Sequence, residues 1–374
     1  MSLEIKEVKT AKELKAFIKF SLKLYENNPC YVPALTYDEI NTFDPKKNPA
    51  LDFCEQVKFV AIRNGEIVGR IAGIINHDTN KWWKQEHARF GWFDVIDDQE
   101  VTKALLEAVE SWAKAKGMNA LKGPLGFTDL DHEGMLVSGF DEMGTFATIY
   151  NYPYYPTHME NLGFKKDVDW KEYQITIPDK IPERYTRMAA IVSQKYNVHT
   201  VKFKTAKELV KRYGEKIFKL WNETYNVLYG FAPLNDKQVQ YYIKMYLSFA
   251  RADLISLIVD MDDNVVGMGI AIPSLSKAFQ KTKGDIFPFG FLHLLKALRK
   301  NDTVDLYLMG IHPDYQSKGL NSLIFADLIP IFIKNGYKLA ETNPELEENG
   351  RIQVLWSEFS SRQHRSRRVY IRNI

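Results

Sequence analysis

The chain has 374 residues, 45% of them hydrophobic and 26% charged, a composition of soluble globular proteins and a length beyond one ordinary core. Fifty Lys and Arg against 47 Asp and Glu leave a net charge of +3, too balanced for a dedicated binder of DNA or another polyanion. The two cysteines, Cys30 and Cys54, exclude a disulfide framework, and neither a Cys-x-x-Cys nor a paired-histidine spacing points to a metal.

A strand is predicted over 3–8 and a helix over 11–25, whose apolar face carries Leu14, Phe17, Ile18, Leu22 and Tyr25. Strands over 57–62 and 67–75 meet at Asn64-Gly65, a hairpin signal. A strand over 90–96, an amphipathic helix over 101–116 stopped by Gly117, a strand over 120–125, a short helix over 158–162 and a strand over 173–177 follow. Pro178 and Pro182 mark a connection. Beyond it the pattern predicts a strand over 198–203, helices over 207–225 and 236–249, and a hairpin of 254–260 with 265–272. A strand over 304–311, a helix over 320–334, a strand over 337–342, a helix over 350–359 and a strand over 368–372 complete it. Residues 1–7 show no secretion signal, and no run approaches the ~18 apolar residues of a membrane span. The expectation is a cytoplasmic protein.

The two series resemble each other. Thr10-Ala-Lys-Glu-Leu14 recurs as Thr205-Ala-Lys-Glu-Leu209, an offset of 195. Gly69 of the first hairpin matches Gly267 at an offset of 198, and Lys116-Gly117 matches Asn335-Gly336 at 219. The widening offset places an insertion of about twenty residues within 275–302. Each half reads as an α+β unit with a mixed, mostly antiparallel sheet flanked by helices, giving two domains, 1–178 and 179–374.

One stretch carries chemistry: Gly310-Ile-His-Pro-Asp-Tyr-Gln316-Ser-Lys-Gly319-Leu-Asn321-Ser322. A strand runs into a polar turn and then a helix, so backbone amides, the helix start and Lys318 converge on one spot that favours an anion such as pyrophosphate. This wording resembles the Gln/Arg-x-x-Gly-x-Gly/Ala turn of the GNAT superfamily of acyl-CoA-dependent N-acyltransferases. The duplicated pattern is similar to tandem two-domain members of that superfamily. The resemblance implies that Gly310, Ile311, Gln316, Ser317, Lys318, Gly319, Leu320, Asn321, Ser322 and Asn349 hold acetyl-CoA or another acyl-CoA, and that a small-molecule or peptide amine attacks the thioester directly. Glu341 is the candidate general base, with Asp305 behind it. Tyr370 is the candidate acid, because Trp356 stands where many members carry the tyrosine that protonates the leaving thiolate, and an indole N–H cannot do so. Asn321 also departs from the usual Gly or Ala. His312 reads as a turn residue.

In the first half, Asp97, Asp98 and Glu100 open the corresponding helix without a glycine turn, so that unit is expected to have kept the fold and lost the cofactor site. Its segments 123–126 and 150–155 are candidates for an acceptor pocket. The apolar stretch 286–295, within an insertion over 277–300 and flanked by cations, reads as a lid, an acyl-chain wall, a membrane contact or simple packing. Arg362, Arg365, Arg367, Arg368 and Arg372 read as a contact for a phosphate or RNA or, as most such runs are, a solvated face. Two alternatives to acyl-CoA transfer stay open: a transferase using another activated donor such as aminoacyl-tRNA, and a non-catalytic ligand-binding protein.

Overall fold

The structure, a computed structural model, describes residues 2–247 and 250–374. In chain order the first half forms β1 (Glu4–Glu7), α1 (Ala11–Leu24), α2 (Thr36–Thr42), β2 (Cys54–Arg63), β3 (Glu66–Asn76), α3 (His77–Trp83), β4 (His87–Val95), α4 (Gln99–Ala115), β5 (Ala120–Gly123), β6 (Met135–Ser138), α5 (Tyr154–Asn161) and β7 (Lys165–Thr176). The second half forms α6 (Glu183–Tyr196), β8 (His199–Val201), α7 (Ala206–Tyr225), α8 (Asp236–Tyr242), β9 (Ile255–Val259), β10 (Val265–Pro273), α9 (Ser276–Thr282), α10 (Gly290–Arg299), β11 (Thr303–Ile311), α11 (Asn321–Lys334), β12 (Leu339–Thr342), β13 (Glu345–Leu346), α12 (Gly350–Trp356) and β14 (Ser361–Asn373). The helix expected over 236–249 ends earlier as an α-helix and passes into a π turn over Ile243–Leu247; its expected end at Phe249 lies outside the described residues.

The local chemistry behind the repeat is visible. Thr10 and Thr205 each cap a helix, accepting from the Glu13 and Glu208 amides at 3.2 Å, so the shared Thr-Ala-Lys-Glu-Leu is a helix start signal used twice. The principal helices α4 and α11 lie against β3 and β10. They approach so closely that a Cβ at Gly69 would sit 2.8 Å from Leu105, and one at Gly269 would sit 2.5 Å from Ile324.

All fourteen strands belong to one sheet, ordered β1-β2-β3-β4-β5-β14-β7-β12-β11-β10-β9-β8, with β6 paired to β14 and β13 to β7. The order reads the same from either edge, with β14 and β7 at the centre, antiparallel to each other. Each half has handed its closing strand to the other. β14 pairs with β5 of the first half, and β7 pairs with β12 of the second.

The arginine run expected to be a solvated face is the opposite at its middle. Arg365 and Arg367 are each 1% exposed. Both guanidinium groups reach Glu172 of β7, at 2.8 and 2.5 Å, and donate further to the carbonyls of Met143 and Ile149. Burial alone would raise the Glu172 pKa, but the two arginines hold it below the ordinary carboxylate value. The period-two spacing put both arginines on one face of the strand; their carboxylate partner, 193 and 195 residues away, turned that face inward.

Glu172→Gln leaves the buried Arg367 without an anion and Arg365 with only Glu341, 3.5 Å away, which costs about 3–5 kcal/mol. Because β7 and β14 each complete the other half's sheet, urea denaturation followed by tryptophan fluorescence is expected to show one lowered transition for the whole chain. A midpoint unchanged from the parent would refute this role.

Candidate active site

The strands of the second half part where the motif begins. β11 pairs with β12 in parallel from Thr303–Leu339 to Leu306–Thr342 and no further, although β11 runs on to Ile311. The amide side chain of Asn343 then caps the Tyr307 carbonyl at 2.9 Å, and Tyr307 to Ile311 turn toward a cleft of about 2220 Å³. Small-molecule pockets commonly measure about 300–1,000 Å³, so this one has room for far more than a compact ligand. Both halves line it.

The turn after β11 is built by its own backbone. His312 accepts from the Asp314 amide at 3.2 Å, as expected of a turn histidine. The side-chain amide of Gln316 donates to the Ile311 carbonyl at 3.2 Å. Ser317 and Gly319 take positive φ of 59° and 81°, so the glycine is required by conformation. The hydroxyl of Ser322 donates to the Gly319 carbonyl at 2.7 Å. α11 opens without a side-chain cap; the Ser322 and Leu323 amides donate to the Gly319 and Leu320 carbonyls at 3.0 Å, which leaves the amides of Gly319, Leu320 and Asn321 for a ligand or solvent.

Of the ten candidate cofactor residues, Gly310, Ile311, Gln316, Ser317, Gly319, Leu320, Asn321 and Asn349 line the cleft. Ser322 is buried beneath the turn it braces. Lys318 does not face the cleft. Its ammonium lies 5.2 Å from the Tyr196 ring centre and 5.3 Å from that of Tyr315, a cation–π placement that draws it aside.

The two catalytic candidates lie elsewhere. Glu341 is buried on β12. It accepts from Gln174 Nε2 at 2.7 Å, with His364 Nε2 at 2.9 Å and Arg365 at 3.5 Å, so its charge serves the centre of the sheet. Asp305, opposite Glu341 in register, is pushed up to about 7 by burial and then by the Glu341 charge. Tyr370 sits in the first half's core, 1% exposed, with its hydroxyl on Glu160 at 3.1 Å. It pairs across from Gly123. The exchange of β14 carries it away from the turn, so it is a packing tyrosine and not the acid at this site.

Two groups that sequence reasoning passed over line the cleft instead. Glu345, on β13, accepts from the Trp356 indole at 2.8 Å, and burial pushes its pKa up to about 8. Trp356 thus orients a carboxyl that burial keeps protonated near neutrality. Across the cleft, the loop after β5 contributes Asp129, Asp131, His132 and Glu133. Burial pushes Asp129 up to about 7, and also raises Asp131 and Glu133, while it lowers His132 to about 4. The signal was legible as Asp129-Leu-Asp131-His-Glu133, four ionisable residues in five, directly after the segment 123–126. From that segment Pro124 and Leu125 line the cleft, and from 150–155 Tyr150 does.

The equivalent opening in the first half is filled. β4 and β5 also part after three residue pairs. There the Tyr155 hydroxyl accepts from the Val95 amide at 2.8 Å and lies 2.8 Å from the Tyr25 hydroxyl, which reaches Asp94 at 3.0 Å. Asp98 caps α4 by accepting from the Glu100 and Val101 amides, and Arg63 bridges Asp98 and Glu100. Acids and an arginine occupy the helix start where the second half offers open amides.

Glu345 binds its proton more tightly folded than unfolded. Its contribution to stability is complete below pH 4.5, declines as pH rises and is gone above about 8. Glu345→Gln, which cannot ionise and still accepts from Trp356, is expected to raise the melting temperature by roughly 5 °C at pH 9 and to change it little at pH 4.5. Parallel melting curves for parent and variant across that range would contradict the assignment.

No family model matches the chain. It is 26% identical over 369 residues to Protein YghO of Escherichia coli K12, covering 97% of this chain and 93% of that one. It is 24% identical over 379 residues to a bacterial ceramide synthase of Caulobacter vibrioides, covering 98% and 97%. Among solved structures, a tandem GNAT protein from the clavulanic acid biosynthesis pathway superposes with a TM-score of 0.58 at 11% identity, covering 100% of this chain and 98% of that one. A GCN5-related N-acetyltransferase from Sphaerobacter thermophilus gives 0.53 at 10% identity, covering 99% and 95%. With its parted β11 and β12 and its glycine turn opening α11, the chain has the tandem GNAT fold.

Proposed function

We propose that the protein is an N-acyltransferase that moves a long acyl chain from an acyl-CoA to an amine, using the cleft that both halves line and the second half's turn opens onto. The observation that carries this reading is the turn 316–321 opening onto a cleft far larger than an acetyl group needs. The open amides of Gly319 to Asn321 would hold the pyrophosphate. The free edge of Tyr307 to Ile311 would pair with the pantetheine arm as an added strand does. Apolar residues of the cleft wall, Ile18, Leu22, Leu35, Phe279, Leu294 and Leu298, suit an acyl chain. This extends the expectation of acetyl-CoA to a longer donor. One relative's name fits, since a ceramide is the amide of a long-chain amine.

The acidic loop gives the amine its place. Asp129, with a pKa of about 7, favours an incoming ammonium and is matched to take its proton near neutrality, while Asp131 and Glu133, raised by burial, offer carboxyls as hydrogen-bond partners. The freed nitrogen attacks the thioester carbonyl. The C–N bond forms and the C–S bond breaks; Glu345, protonated below about pH 8, gives its proton to the departing thiolate, the second proton lost by the nitrogen as it becomes an amide restores Glu345, and the first, taken by Asp129, is released to solvent.

Calorimetric titration tests the donor: palmitoyl-CoA is expected to bind at least about tenfold more tightly than acetyl-CoA, a difference of about 1.4 kcal/mol. Equal affinity would refute the long-chain reading, and no binding of either would refute the CoA site. Gly319→Glu places a carboxylate and a strained φ in the turn, and is expected to abolish binding of both while leaving circular dichroism unchanged. Asp129→Asn is expected to lower kcat for amide formation by about a hundredfold or more with little change in donor affinity. An unaltered kcat would remove Asp129 from the mechanism.

A further inference from the structure

The insertion between β10 and β11 is held rigidly but leaves its most apolar side chains in solvent. It is tied to the first half at several points. The Gln280 side chain donates to the carbonyls of Pro29 and Tyr31 at 2.7 and 3.0 Å. The Thr36 amide donates to the Gly284 carbonyl at 2.7 Å. Phe279 meets Phe146 edge to face, with ring centres 5.8 Å apart. Gly284, at φ +84°, passes so close to Leu22 that a Cβ would lie 3.0 Å from it.

Beyond these ties the chain turns outward. Phe287 is 81% exposed and Phe289 71%. α10, which follows, has no buried residue, and Phe291, Leu292 and Leu295 are exposed on it. Ile286, Leu294 and Leu298 face the other way and line the cleft. Lys283, Lys296, Arg299 and Lys300 surround the exposed face, and among the described residues none of them has an acidic partner. The one acid of the segment, Asp285, faces Lys19 at 3.5 Å.

We propose that this face docks the protein on an anionic lipid surface, with Phe287 and Phe289 in the boundary between headgroups and acyl chains and the basic residues against acidic headgroups. An amphipathic helix with aromatic and leucine residues on one face and cations beside them is the element that lies in such an interface. The charges argue against a second copy as the occupant, because a two-fold pairing of this face sets cations against cations. The rigid ties make the exposed phenylalanines a fixed wedge. The inner side of the same helix lines the cleft, so docking brings the cleft wall to the lipid. The inference stands apart from acyl transfer, since it is read by binding alone.

The test is sedimentation of the full chain with vesicles of pure phosphatidylcholine, and with vesicles containing about 30% phosphatidylglycerol. Binding to the anionic vesicles and weak binding to the neutral ones is expected, with loss of the bound fraction at high salt. The double variant Phe287→Asp, Phe289→Asp is expected to bind at least about tenfold more weakly, and Lys296→Glu, Arg299→Glu to lose the anionic preference. Unchanged circular dichroism and melting temperature establish that both variants fold. Failure of the parent to bind anionic vesicles, or equal binding by the phenylalanine variant, would overturn the proposal. So would a dimer in solution that the phenylalanine variant dissolves without affecting vesicle binding.

Discussion

Two arginines and one glutamate at the centre of the sheet set the rest of the architecture. A guanidinium group taken out of water needs an anion and acceptors for its remaining N–H groups. Arg365 and Arg367 find both only where β14 lies between β5 and β7, with Glu172 between them and the carbonyls of Met143 and Ile149 beyond. The network also draws in Glu341 and His364, which is why a carboxylate that looks catalytic by position is occupied with holding the sheet together.

From that centre the division of labour follows. Each half opens where two parallel strands part. In the first half tyrosines fill the opening and an arginine–carboxylate cluster occupies the helix start. In the second, the opening stays clear and faces the acidic loop after β5. The first half thus contributes a wall and the buried carboxyls of Asp129, Asp131 and Glu133 to the cleft onto which the second half's turn opens.

Much of this was legible because it is local chemistry. Thr10 and Thr205 announce helix starts, Asn64-Gly65 a hairpin, and Gln316 to Gly319 a glycine turn that opens a helix, each within a few residues. The readings that failed depended on partners far along the chain. Nothing near Arg365 and Arg367 reveals Glu172, so the run looked like solvated surface. Lys318 looked like a phosphate ligand until Tyr196 folded over it. Tyr370 looked available for catalysis because the exchange of strands was invisible. Asp129 to Glu133 was visible as an acidic cluster, but its meaning depends on burial, which raises those carboxyls toward neutrality and which periodicity does not report.

The exchange of closing strands also orders events in time. During synthesis β5 emerges early, yet its neighbour β14 is made after every other element of the fold. Until then the first half has an open strand edge and an unpaired Glu172, 195 residues ahead of Arg367. Long-range pairing of this kind closes slowly, and an unpaired edge invites wrong partners. The two halves of the sheet can therefore join only after β14 has been made. The two halves are similar in pattern, but the crossing of their last strands joins them in one sheet whose centre draws on both.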